Sequence, residues 1–169
     1  MKHSINALKI AFSAGLVMTS SIALALEVPE GRVVLTVQGN ISNTNANSTA
    51  QFDRAMLADL GEVTTVTGTP WTEGVNTFSG PKLSALLDAV GAKGETLVIT
   101  ALNDYSAKMP VSDAYDNGVL MAMKMNGERM SVRDKGPIFM LYPFDQNPSL
   151  NNEVIHNRSV WQVKSITVE

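Results

Sequence analysis

Short β-branched runs, each closed by a Gly, Asn or Pro turn, recur from Val33 to the C-terminus and never alternate regularly with helices. That order argues against a parallel βαβ repeat and predicts an α+β domain of mixed β-sheets with a few short helices. Residues 33–39 (VVLTVQG), 63–69 (VTTVTGT), 96–102 (TLVITAL), 105–111 (YSAKMPV), 120–125, 138–142 and 160–168 read as strands. Two helices are expected. Phe52, Met56, Leu57 and Leu60 share one face before Gly61, and Leu83, Leu86, Leu87 and Val90 share another between Pro81 and Gly91. Asn126-Gly127 marks a tight hairpin, since both positions favour positive φ. The Asn-rich stretch 40–49 and the polar stretch from Trp71 to Asn76 read as loops.

The N-terminus has a different character. Lys2 and Lys9 precede an uncharged stretch from Ile10 to Leu26 that closes on Ala23-Leu24-Ala25. This order predicts a secretory signal peptide over residues 1–25, cleaved after Ala25, and a single periplasmic domain over 26–169. The apolar core is too short and too rich in Ser and Thr for a membrane span, so no direct membrane insertion is expected. With no cysteine at the cleavage site and no twin arginine ahead of the apolar core, the chain is expected to cross unlipidated and unfolded.

Composition narrows the chemistry. With 13 Lys plus Arg against 16 Asp plus Glu, the formal net charge is −3 and no basic cluster interrupts the chain, so nucleic acid is not an expected partner. Zero cysteines exclude disulfides and any thiolate supplied by the protein to a metal. His156 is the one histidine outside the export segment. It reads as a solvated loop residue, since nothing nearby would orient it for a nucleophilic triad. Asp53, Asp59, Asp113 and Asp116 read as solvated faces, without calcium-loop spacing. Met121, Met123 and Met125 would share one face of a strand, which suits a polarisable core stripe better than a Cu(I) site.

What remains is a set of aromatic and polar residues at three strand ends: Trp71, then Asn103-Asp104-Tyr105, then Tyr142-Pro143-Phe144-Asp145. Such loops could hold a flat polar heterocycle between ring faces and hydrogen-bonding edges, or could cap the core.

Four collinear segments, FSGPKLSALLDAVG (78–91), ITALNDYSAKMPVSDA (99–114), MAMKMNGERMSVRDKGPIFMLYP (121–143) and SVWQVKSITV (159–168), resemble the molybdopterin-binding oxidoreductase domain of sulfite oxidases. The resemblance implies the sulfite oxidase molybdopterin-binding-like fold. It also places Val66, in Val66-Thr67-Gly68-Thr69, where the enzymes carry a molybdenum-ligating cysteine. The chain is most similar to short, exported, cysteine-free members that bind a small pterin and dock on the outer sensory domain of a membrane-anchored cyclic-di-GMP signalling protein. That likeness is strongest at 69–74, 101–105, 132–137 and Trp161-Gln162. It implies pterin as a ligand, no tightly bound cofactor and no catalysis; the alternative is a molybdopterin-dependent oxidoreductase lacking the cysteine ligand. In this reading Trp71 or Tyr105 stacks on the pterin, Asn103 and Asp104 meet its pyrimidine edge, Arg133 meets a carbonyl or phosphate, and Tyr142 and Asp145 line the mouth. Asp104 and Arg133 would equally suit a mutual ion pair.

Overall fold

The computed structural model describes residues 26–169; the segment read as an export signal lies outside the described residues. Its largest sheet has five strands, in the order β2 (Ala50–Phe52), β1 (Leu35–Gly39), β11 (Val163–Val168), β5 (Thr96–Ala101) and β6 (Ser106–Pro110). Only the β1–β11 pair is parallel. Side chains alternate across a strand, and β5 follows that rule, burying Leu97, Ile99 and Ala101 while Thr96, Val98 and Thr100 stay half-exposed.

A second, antiparallel sheet joins β3 (Val63–Thr69), β4 (Thr72–Gly80), β8 (Lys124–Met125) and β9 (Glu128–Arg129). The polar stretch expected as a loop after Trp71 is therefore strand. Only Pro70-Trp71 separate β3 from β4, and the pairing runs back from Thr69↔Thr72 to Val63↔Gly80. Cross-strand hydrogen bonding overrides the weak strand propensity of Glu73, Gly74 and Asn76.

The expected strand 120–125 breaks at Met123. β7 (Leu120–Ala122) pairs with β10 (Phe139–Leu141), whereas β8 pairs with β4, so the chain changes sheets at that residue. All of β7 and β10 is buried, and Met121 and Met123 belong to the core with Met125 packed against it. Gly80 permits this close approach: a Cβ there would collide with the Met121 carbonyl. Asn126 and Gly127 turn β8 into β9 with φ of 52° and 82°, as the dipeptide predicts.

Four α-helices are present among the described residues, two more than expected. α1 (Arg54–Asp59) starts at Asp53, whose buried carboxylate accepts the N–H groups of Met56 at 3.0 Å and Gly31 at 2.7 Å. Those two backbone bonds, Met56 first, hold its pKa below the ordinary carboxylate value. Asp53 is a buried helix cap, which corrects its reading as a solvated side chain. α2 (Leu83–Val90) buries all four expected residues and ends at left-handed Gly91. α3 (Val111–Asp116) begins directly after β6, and α4 (Glu153–Arg158) lies in the Asn-rich segment read as loop.

Candidate ligand-binding site

Thr69 and Thr72 brace the β3–β4 turn. Thr69 Oγ1 accepts the Trp71 N–H at 3.2 Å and lies 2.8 Å from Thr72 Oγ1, so the turn projects the indole in a set direction. The Trp71 ring meets Phe139, Phe144, His156 and Trp161 edge-on, with centroids 5.9, 6.1, 5.4 and 5.5 Å away. These are favoured edge-to-face arrangements. They form one aromatic cluster from four parts of the chain.

A cavity of about 360 Å³ opens beside this cluster. Trp71, Tyr105, His156 and Trp161 supply its rings, and Asn103, Asn157 and Ser159 supply polar groups. Tyr105 and Trp161 remain 47% and 37% exposed, which leaves aromatic surface free for a ligand. Asn103 Oδ1 accepts the Tyr105 N–H at 3.1 Å, so its amide NH2 is the group left to donate. The Tyr105 hydroxyl donates to the Asn157 carbonyl at 3.2 Å, tying the β5–β6 turn to α4.

Trp161 is held by its neighbour. Gln162 donates its backbone N–H to Lys135 O at 2.9 Å and its side-chain amide to Val132 O at 2.7 Å, while its carbonyl accepts from Leu102 N. The Lys135 ammonium stands 5.8 Å from the Trp161 ring centroid, within cation–π range. A second hollow of about 710 Å³ adjoins the first through His156 and is lined also by Gly68, Thr69, Pro70, Phe144 and Asp145. Asp145 accepts the Gly68 N–H at 2.8 Å and donates its own N–H to Thr67 Oγ1 at 3.0 Å.

The structure brings together only part of the expected set. Trp71, Asn103 and Tyr105 line the aromatic cavity, and Asp145 lines its neighbour. Asp104 does not line either. Its left-handed backbone (φ 66°) turns an 84% exposed side chain outward to pair with Lys164, which also replaces the expected ion pair with Arg133. Arg133 is exposed on the 3-10 turn Val132–Asp134, a turn that buttresses Trp161 through Gln162. Tyr142 cannot line a mouth: it is fully buried, and its hydroxyl donates to Asp113 at 2.7 Å. Burial first, then that bond, pushes the Tyr142 phenol well above its ordinary pKa.

Asp113 is likewise buried rather than solvated, and it also accepts from Arg158 at 2.9 Å. Sequence reasoning passed over His156, Asn157 and Ser159. Their helix was foreshadowed by Asn152 ahead of Glu153, an N-cap followed by an acidic first turn; Asn152 indeed accepts the Ile155 N–H at 3.1 Å. His156 Nε2 lies 2.7 Å from Asn151 Oδ1, an acceptor, which leaves Nδ1 as the free ring nitrogen.

Comparison with known proteins agrees with this architecture. The sulfane dehydrogenase SoxCD from Paracoccus pantotrophus has a similar fold, with a TM-score of 0.61 and 20% identity over 85% of this chain. The present chain spans 40% of that chain's length. No curated protein matches in sequence. The family model for the oxidoreductase molybdopterin binding domain matches residues 28–144, well over half of the sequence, and the chain belongs to that family.

Proposed function

We propose that the chain is a periplasmic, non-catalytic pterin-binding protein. The observation that carries this reading is the cavity of about 360 Å³ between Trp71, Tyr105, His156 and Trp161 in a chain with no cysteine. Ligand pockets run from about 300 to 1,000 Å³, so this one is large enough for a fused bicyclic ring. Ring faces at Tyr105 and Trp161 offer stacking, worth about 1 kcal/mol beyond area burial. The Asn103 amide can donate to the ring carbonyl.

The donor set also favours pterin over the metal-bearing cofactor of the family. Val66, at the position that the resemblance assigns to the ligating cysteine, is 51% exposed on β3 and has no electron pair to offer a metal. The pocket offers ring faces and an amide donor suited to a pterin, and no thiolate. An unfolded route of export would likewise suit capture of a free ligand after crossing. In this reading pterin occupancy regulates a membrane-bound cyclic-di-GMP signalling partner through its outer sensory domain, with residues 1–25 removed after Ala25. Membership of the family favours one other reading, a molybdopterin-dependent oxidoreductase in which the cofactor's own sulfurs hold the metal.

The chain has two tryptophans and both line the cavity, so intrinsic fluorescence reads the site directly. A reduced pterin should quench it saturably at one equivalent. At a hundredfold excess over Kd it should add about 2.7 kcal/mol of stability. Absence of any pterin effect would overturn the ligand, and stoichiometric molybdenum in protein from its native host would overturn the non-catalytic reading. Intact mass tests the cleavage, and co-purification with and without pterin tests the signalling partner.

A further inference from the structure

A hollow larger than the aromatic cavity lies elsewhere on the described residues. It is an open trough of about 970 Å³ along residues 30–36 and across to 129–137. Leu102 lines it, whereas Ala101 and Asn103 line the aromatic cavity, so the end of β5 and the turn that follows it divide their side chains between the two hollows.

Arg32, Arg54, Arg129 and Lys164 line this trough. Lys164 is paired with Asp104, but none of the four ion pairs among the described residues engages the three arginines. Two carboxylates also line it: Asp53, which accepts the Gly31 and Met56 N–H groups, and Glu30. The lining therefore carries four cationic against two anionic side chains, a positive excess on a chain whose formal net charge is −3. Arg54 bears a cost for this: partial burial, and then the charge of Arg129, lower its pKa. Between the charges lie Val33, Leu102 and Val132, all substantially exposed.

We propose that this trough is the docking surface for an extended acidic segment of a partner protein. Its carboxylates meet Arg32, Arg54 and Arg129, which offer bidentate forks, and its interleaved apolar residues cover Val33, Leu102 and Val132. Size and openness favour a peptide over a small anion. The trough is near the upper limit of small-molecule pockets, lies open to solvent and carries apolar surface that a small oxyanion would leave wet. The inference does not depend on what the aromatic cavity holds.

The test is an NMR titration of the protein with a short peptide in which Glu alternates with Leu, beside a Lys-Leu peptide and citrate. Saturable amide shifts at Val33, Leu102 and Val132, produced by the Glu peptide alone and weakened by salt, are expected. Replacing Arg54→Gln and Arg129→Gln together should weaken binding about tenfold or more, as two charge-assisted contacts are lost. Those changes relieve a like-charge contact and should not lower Tm; if the double variant fails to fold, Arg32→Gln on its exposed segment provides the same comparison. No saturable shift in the trough, or equal affinity after charge removal, overturns the proposal. Citrate binding as tightly as the Glu peptide also overturns it, in favour of a small-anion site.

Discussion

His156 and Arg158 stand two residues apart on α4, yet they serve opposite environments. Arg158 closes an interior network in which Asp113 accepts both its guanidinium, at 2.9 Å, and the Tyr142 hydroxyl, at 2.7 Å. His156 faces the aromatic cavity, where Tyr105 and Trp161 keep ring surface exposed. The interior polar groups are satisfied by one another, so they hold elements in place and have little left to offer a ligand. The cavity carries the reverse balance. Its rings are propped by edge contacts but keep open surface, and Asn103 keeps donors without partners. Ligand capacity lies where the fold leaves interactions incomplete.

Substitutions can break or sharpen this contrast. Asp113→Ala should have the largest effect, about 3–5 kcal/mol of stability by denaturant unfolding, because it strands the Arg158 guanidinium and the Tyr142 hydroxyl inside. Tyr142→Phe should cost about 1.5–3 kcal/mol, the range for a hydrogen bond to a charged group. Its pterin affinity, measured by calorimetry, should match the parent; a loss would mean that the network and the cavity are one unit.

Trp161→Ala should weaken pterin binding about tenfold, or about 1.4 kcal/mol, while leaving the fold intact. Calorimetry with far-ultraviolet circular dichroism separates the two. Asp104→Asn should have the smallest effect, with no change in pterin affinity. Lys164, through its hydrogen bond first and its charge second, lowers the Asp104 pKa. A lowered carboxyl adds stability that is fully present above the ordinary Asp value and is lost as pH falls through the folded value. Any Tm difference between parent and Asp104→Asn should therefore begin to shrink below about pH 4 and vanish only once the pH has fallen past the lower folded value.

Much of the fold could be read along the chain because its signals are local. Val63–Thr69 is a strand as expected, α2 buries the four residues its spacing selects, and Asn126-Gly127 turns with positive φ. The failures have non-local causes. β4 is strand because β3 lies beside it, and the run 120–125 divides because Met121 and Lys124 find partners in different sheets. At the site, Trp71, Asn103 and Tyr105 lie where their loops suggest. Asp104, in the same loop, faces solvent because one left-handed residue reverses its direction. Tyr142 and Phe144 could not be told apart by composition; burial assigned the first to Asp113 and the second to the Trp71 cluster.

The amino-acid sequence by itself determined the strand and helix periods, the tight turns and the absence of any thiolate, since each depends on residue identity or on neighbours a few positions apart. Tertiary structure alone decided which aromatics keep an open face, which carboxylates are spent inside, and where three arginines collect without partners. Those outcomes depend on contacts between segments that lie tens of residues apart, and no local pattern encodes the direction from which such a neighbour arrives.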